Sequence, residues 1–354
     1  MQTPIVKKDI RKLSKEDLKA YFISIGEKAF RSGQVYDWLW KKSASGFSEM
    51  TNLSEKLRLK LEEDFGIFPL EIATRQKSND GTIKSAFRLH DKHLIEGVLI
   101  PADDRMTACV SSQVGCSLTC KFCATGYMER KRNLDPAEIY DQVVAISKQA
   151  EEHFDHPLTN IVFMGMGEPL LNYANVLAGI ERITSPDGLN MSPKRITVST
   201  AGIAKMIQKL ADDEVKFNLA LSLHAANDEK RNQIMPINES NTLAALKDAL
   251  RYFYDKTGNK ITLEYILFYN FNDTLTDAAE LWAFAKSIPC KINIIEYNPI
   301  ADADFKNADA DKLELFKNFL QKKGLVVNVR RSRGKDIDAA CGQLAVKEKN
   351  NAQV

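Results

Sequence analysis

From about residue 105 the chain alternates short apolar runs, rich in β-branched residues, with amphipathic stretches, and this alternation restricts the fold more than any other feature. The runs are MTACVSSQ, NIVFMG, RITVST, KFNLALSLH, ITLEYILF, KINIIEYN and LVVNVRR. Amphipathic stretches near 136–150, 173–184, 202–211, 242–255, 277–286 and 310–322 lie between or after them. Runs of that kind suit strands buried on both faces, as in a parallel sheet covered by helices. Strand followed by helix, repeated, means an α/β domain, either a full or partial barrel or an open sheet. In a parallel barrel the chemistry collects at the carboxyl ends of the strands, so residues that share a site should fall there.

The preceding residues follow other patterns. Residues 1–66 read as short helices: Ser14 caps SKEDLKAYF with Gly26 beyond it, Ser32-Gly33 precedes QVYDWLWKK, and Ser54 precedes EKLRLKLEEDF, ending at Gly66. Between 70 and 100, LEIATRQ, TIKSAFRLH and HLIEGVLIP predict an antiparallel meander, with SNDG as its first turn. The expected organisation is an N-terminal helical accessory domain over 1–66, a β extension over 67–104, a barrel over 105–334 and a C-terminal segment over 335–354. A length of 354 residues exceeds the roughly 250–300 at which one core stops growing, which agrees with a large domain plus an appendage.

Composition excludes a disordered or fibrous chain, being 44% hydrophobic and 27% charged. The net charge of +2 hides an asymmetry: residues 1–60 hold 13 Lys/Arg and 7 Asp/Glu, a local +6 that leaves −4 elsewhere. A basic head is a surface for a polyanion or only a solvated face. No apolar run approaches the ~18 residues that span a bilayer, and the start lacks an apolar signal core, which points to the cytoplasm.

Six cysteines, at 109, 116, 120, 123, 290 and 341, are few for a disulfide scaffold; in a reducing compartment their clustering points to metal or catalytic chemistry. Cys116, Cys120 and Cys123 follow the first barrel strand, and three thiolates in so short a loop can converge on one inorganic centre. One reading is structural zinc with Cys109 as fourth ligand, although the gap from Cys109 to Cys116 suits zinc's paired spacing poorly. The other is a four-iron cubane with one iron left open, unlike electron carriers, which close all four.

At the other strand ends stand the turn MGMGEP with Gly167 and Glu168, then Ser199, then Ser222-Leu223-His224, and finally Asn298. Glycines admit a ligand close to the backbone, and a carboxylate accepts bonds from an ammonium. Singly, each residue reads as a cap or turn; together they fall where a barrel places its mouth. Glu96, within LIEGVLI, is either a solvent-facing strand carboxylate or, if buried, a base with a raised pKa. Cys341, before Gly342, is either an inert buried thiol or part of a mobile loop reaching the mouth. Cys290 begins the KINII strand and is assigned to packing.

The x3–x2 cysteine spacing with Phe122 before the last cysteine is the signature of radical S-adenosylmethionine (SAM) enzymes. Longer stretches, CVSSQVGCSLTCKFCATG, MGMGEPLLN, SLHA, MPIN, PCKINII, YNP and DIDAACGQLA, resemble the RlmN/Cfr radical SAM RNA methyltransferases over residues 94 to 346. Val114 and Pro169 stand where the C8-methylating branch has Cys and Ala, which favours the C2 branch. The resemblance implies a partial (β/α)6 barrel, a [4Fe-4S] cluster on Cys116, Cys120 and Cys123, and two SAM molecules per turnover. It implies that Gly167, Glu168, Ser199, Ser222, Leu223, His224 and Asn298 contact SAM. By the same resemblance Cys341 carries the methyl group as S-methylcysteine, Cys109 is its disulfide partner in product release, and Glu96 accepts a proton. Substrates would be adenine C2 in 23S rRNA and tRNA, the electron donor of flavodoxin or ferredoxin type, and the enzyme a monomer.

Such chemistry suits the target, because C2 of adenine is electron-poor and bears no acidic proton, whereas a thiolate of lowered pKa readily displaces a methyl group. The base would have to leave its stack. Arg130, Lys131, Arg132, Arg330, Arg331 and Arg333 could hold phosphates. The first 60 residues match no motif. The sequence leaves two alternatives open: methylation at C8, or a zinc-stabilised RNA-binding protein without enzymatic activity.

Overall fold

The computed structural model describes residues 7–346; the extreme ends of the expected N- and C-terminal segments, 1–6 and 347–354, lie outside the described residues. The first short strand, β1 (Lys8–Asp9), pairs in parallel with β2 (Phe65–Gly66). Between them run α1 (Lys15–Ser24), α2 (Arg31–Trp40) and α3 (Glu55–Asp64). Ser14 caps α1 through a capping box with Asp17, and Ser54 accepts from Leu57 N at the start of α3. Ser32-Gly33, read as preceding the second helix, lies inside α2. That helix starts at Arg31 with no side-chain cap, and Ser32 Oγ donates to Ala29 O instead. Nor does α3 reach Gly66; it ends at Asp64, because Phe65 and Gly66 are drawn into the pair with β1.

The meander is present as β3 (Glu71–Lys77), β4 (Ile83–Arg88) and β5 (Leu94–Ala102), but it is continuous with the barrel strands. β5 pairs antiparallel with β6 (Arg105–Cys109), Val98 opposite Cys109, so the extension and the barrel form one ten-stranded sheet. A separate short pair, β7 (Gln113–Val114) and β8 (Arg132–Asn133), brackets the cysteine loop. From β6 the sheet continues in parallel through β9 (Asn160–Phe163), β10 (Ile196–Thr200), β11 (Asn218–Ser222), β12 (Ile261–Ile266), β13 (Cys290–Ile295) and β14 (Val327–Arg330). The crossovers carry α4 (Pro136–Phe154), α5 (Tyr173–Thr184), α6 (Ala204–Asp212), α7 (Asp228–Ile234), α8 (Leu243–Thr257), α9 (Leu275–Ala285) and α10 (Ala310–Lys322). This is an α/β partial barrel of six β-to-α units and a last strand, with β14 at one edge and the meander at the other. Every residue of β12 is buried, as expected of a central strand packed on both faces.

The N-terminal helices join the barrel's core through α4. Trp40 meets Tyr140 edge-to-face at 5.1 Å and accepts its hydroxyl at the main chain, while the buried Arg11 spans Asp9 and Asp141 at 2.9 and 2.8 Å. Beyond β14, residues 334–346 run back towards the opposite end of the sheet. Gly334 N donates to Asp80 and Ser78 Oγ to Asp336, and Lys84 Nζ reaches Asp338 O at 3.3 Å. This strap therefore ties the β3–β4 hairpin to the β14 edge. Among the described residues no helix is long and apolar enough to cross a membrane.

Candidate active site

The carboxyl ends of β9 to β13 enclose a cavity of about 130 Å³, and Cys116, Cys120 and Cys123 stand on its wall. The loop that carries them is tightly constrained. Gly115 and Thr119 take positive φ, and a Cβ at Gly115 would lie 2.1 Å from Glu129 O. Lys121 N donates to Ile234 O at the end of α7, and Ala124 N donates to Gly342 O of the strap. Burial raises all three thiols above their ordinary value, Cys116 to about 11. Buried neutral thiols ionise only against a compensating cation, which is what metal loading provides.

The MGMGEP turn lies opposite. Gly165 has Val110 O and Ser111 Oγ each 2.7 Å from where a Cβ would stand. Gly167, at φ +93°, has Gln113 Cβ at 2.4 Å. Only glycine brings the chain this close. Glu168 is buried, and its carboxylate accepts from Leu170 N at 3.0 Å and Ala201 N at 2.8 Å, so it binds two strand ends together. Burial raises its pKa while those bonds oppose the rise. Ser199, Ser222 and His224 line the same cavity. His224 accepts at Nδ1 from Ile266 N at 3.1 Å, which places its proton on Nε2. Burial, helped by Arg231, pulls its pKa down to about 3, so this imidazole is a neutral donor.

Two expected residues stand behind the wall. The Leu223 side chain is fully buried, with its carbonyl accepting from Arg231 Nε. Asn298 donates from Nδ2 to Cys341 O at 3.1 Å, and its buried Oδ1 has no hydrogen-bond partner.

Cys341 connects two spaces. It lines the main cavity and also a second one of about 70 Å³, whose walls include Cys109, Arg330, Arg331 and Arg333. Cys109 is absent from the wall that carries the other three cysteines, so a four-cysteine zinc set is not assembled. Among the described residues no three His, Cys, Asp or Glu side chains approach closely enough to hold a single metal ion; the cysteines of a cubane each bind a different iron and stand farther apart. Burial lifts the Cys109 thiol to about 12; Cys341 is an exposed residue, but its thiol turns inward between the two cavities and is pushed up to about 11, and Arg330 pulls both downward. The sequence reading asked for a lowered thiol, so the protein alone leaves this nucleophile masked.

Glu96 is 6% exposed and lines neither cavity; it faces Lys84 Nζ at 3.6 Å beneath the strap. Its Oε2 has no hydrogen-bond partner, and burial raises its pKa against the pull of Lys84. Among the expected phosphate contacts, Arg132 pairs with Asp91 at 2.6 Å and Glu138 at 2.8 Å, two carboxylates with which a phosphate would compete. Sequence reasoning missed Glu264 and Arg231. Glu264 lines the main cavity and accepts from Asn293 at 2.9 Å and Arg330 at 3.4 Å. Its signal was a carboxylate amid the apolar run ITLEYILF. Arg231 had none beyond its place in a polar loop.

Comparison with known proteins finds this chain similar to radical SAM RNA methyltransferases. Residues 8–67 match the ribosomal RNA large subunit methyltransferase N-terminal domain, and residues 110–281 match the radical SAM superfamily. A probable dual-specificity RNA methyltransferase RlmN of Cytophaga hutchinsonii is 68% identical over 98% of this chain and 95% of its own. That of Salinibacter ruber is 46% identical over 95% of this chain and 94% of its own. The crystal structure of a radical SAM methyltransferase from Sphaerobacter thermophilus, 37% identical, superposes with a TM-score of 0.91 over 96% of this chain and all of its own.

Proposed function

The chain belongs to the RlmN family of radical SAM RNA methyltransferases, and from that membership and the site we propose that it methylates C2 of adenine in 23S rRNA and tRNA by way of S-methylated Cys341. The observation that carries the route is the position of Cys341, which shares one cavity with the three clustered cysteines and the other with Cys109. The family's [4Fe-4S] cluster and SAM suit the cavity. Three thiols supply the cluster's donors, Gly165 and Gly167 let the turn press against Val110, Ser111 and Gln113 and so hold its backbone at the cavity wall, and the orphaned Asn298 Oδ1 lacks only a donor. Cys116, Cys120 and Cys123 would hold the cluster, and Gly167, Glu168, Ser199, Ser222, Leu223, His224 and Asn298 would hold SAM. When bound, these groups supply the transferable methyl and, after one-electron cleavage of the sulfonium, a hydrogen-abstracting radical.

A cavity of about 130 Å³ is small beside the roughly 300–1,000 Å³ of drug-sized ligand sites. The strap residues Cys341, Gly342 and Leu344 narrow it, so loading SAM requires this segment to withdraw. In the first stage Cys341 Sγ gives its proton to water and takes the methyl of SAM, which would leave as S-adenosylhomocysteine, with Arg330 favouring the thiolate. In the second, the S-methyl carbon, short of one hydrogen, bonds to C2 and links enzyme to RNA. Glu96 then takes the C2 proton, the same withdrawal of the strap baring this carboxylate, and the odd electron of the adduct would return to the centre held by Cys116, Cys120 and Cys123. Finally Cys109 Sγ attacks Cys341 Sγ; the S–S bond forms as the S–C bond breaks, and the proton Cys109 gives up completes the methyl group, leaving the methylated base and a disulfide. Arg331 and Arg333, beside both cysteines, would hold the phosphates of an extruded nucleotide. The electron donor is of flavodoxin or ferredoxin type, and the enzyme works as a monomer.

The test is methylation of rRNA and tRNA fragments with SAM carrying a CD3 group, read by nucleoside mass spectrometry. Loss of one hydrogen from the S-methyl group predicts 2-methyladenosine retaining two deuterons. Retention of all three, or methylation at C8, contradicts the route.

A further inference from the structure

Arg231 is fully buried one turn before the end of α7, and its donors all meet neutral acceptors. Nε donates to Leu223 O at 3.0 Å, Nη1 to Asn238 Oδ1 at 2.6 Å, and Nη2 to Ala201 O at 2.5 Å and Ser222 O at 3.1 Å. Asp228 makes no hydrogen bond or ion pair with the guanidinium; it accepts from Asn238 Nδ2 at 2.8 Å and acts on Arg231 only as a more distant charge. Among the described residues no carboxylate pairs with Arg231 directly. The other fully engaged buried arginine, Arg11, shows the usual arrangement, with two carboxylates at 2.9 and 2.8 Å. A buried cation without an ionic partner is costly, and such groups are retained where an anion belongs.

The surroundings identify that anion. Ala201, Ser222 and Met235, next to Arg231 in space or sequence, line the cavity of the three thiols. Ile234, on the same helix, holds the cysteine loop at Lys121 N. Burial brings the guanidinium down only to about 10, the charge of Asp228 and that of an ionised Cys120 opposing the fall, so it stays protonated at neutral pH. A four-iron cubane on three thiolates is a net anion that becomes more negative by one charge when reduced. Glu168 and Glu264, on the same cavity wall, oppose that reduction.

We propose that Arg231 is the internal counter-charge of the iron–sulfur cluster, a fixed cation that favours the one-electron reduced form. One electron enters the cluster from a low-potential donor; no bond or proton of Arg231 changes. Arg231 touches no reacting atom and is a positioning residue, acting through the field it exerts. The inference rests on the cluster seat of the proposed function.

The test is a dithionite titration with redox mediators on the anaerobically reconstituted full chain, followed by electron paramagnetic resonance. Arg231→Gln removes the charge and Arg231→Lys keeps it. At the potential where the native cluster is half reduced, Arg231→Gln should lower the reduced-to-oxidised ratio about tenfold, a midpoint shift of about 59 mV for one electron. Arg231→Lys should stay close to the native ratio. If Gln and Lys variants both unfold earlier yet titrate like the native protein, the role is structural and the proposal is overturned. Should Arg231→Gln not fold, Asn238→Asp sets a carboxylate against Nη1 with the guanidinium in place; it should lower the ratio too, and an unchanged ratio overturns the proposal. Native protein that binds no iron and sulfide overturns the cluster seat, and this inference with it.

Discussion

Gly167→Ala tests whether the MGMGEP turn is a cradle set by backbone approach. The glycine's φ is +93°, and a Cβ there meets Gln113 Cβ at 2.4 Å, Gln113 Cγ at 2.7 Å and Gln113 N at 2.9 Å. Gln113 cannot retreat: it is fully buried, donates to Asn133 Oδ1 at 2.8 Å and accepts from Glu168 N at 2.9 Å. Left-handed backbone costs a non-glycine residue ~1–2 kcal/mol, and overpacking a filled core costs ~1–3 kcal/mol. The sum, about 2–5 kcal/mol, is a large part of a stability of about 5–15 kcal/mol. Thermal unfolding of the metal-free protein should fall by several degrees, and the added stabilisation by SAM of the cluster-loaded protein should shrink because the turn is displaced. Gly33→Ala is the control. Gly33 lies within α2, where a Cβ meets nothing within 4 Å, and alanine there should stabilise by ~0.5–1 kcal/mol. A Gly167→Ala protein that unfolds like the native one and gains as much from SAM refutes the reasoning, as does equal damage from both substitutions.

Cys341→Ala should abolish methylation with iron and sulfide content unchanged, whereas Cys109→Ala should accumulate a protein–RNA adduct on denaturing gels; methylation by the first or absence of the adduct in the second removes the assigned role. Lys84 is the charge that holds Glu96 down against burial. A base works deprotonated, so release should rise with pH through the Glu96 pKa and then level off; Lys84→Met should move that rise to higher pH in adduct-resolution kinetics, and an unmoved profile counts against Glu96 as the base. Arg331→Ala should weaken RNA binding at low salt and reduce the slope of log K against log[salt] by about one; an unchanged slope places the phosphates elsewhere.

Strongly periodic elements were legible in the sequence. The stretches read at 173–184 and 310–322 are α5 and α10, because each keeps one apolar face at helical spacing against the sheet. The cysteine loop, the glycine turn and Ser222-Leu223-His224 fall at strand ends because a parallel arc puts every carboxyl end on one side. Residues that pair in space but lie far apart in sequence were not legible. Val98 against Cys109 fuses the meander to the barrel, and no local pattern announces that register. α7 escaped notice because DEKRNQI buries only Ile234 and Arg231, so its stability comes from bonds to neighbouring strand ends instead of an apolar stripe. The strap is set by Ser78, Asp80 and Lys84, more than 250 positions away. The field of Arg330 on Cys109 and Cys341 likewise exists only once β14 is in place.

The most direct measurement is 5′-deoxyadenosine formation by anaerobically reconstituted protein given SAM, dithionite and RNA. An open-iron cluster on Cys116, Cys120 and Cys123 predicts reductant-dependent 5′-deoxyadenosine that disappears in Cys120→Ala; none from iron-replete native protein, or an undiminished yield from the variant, contradicts the account.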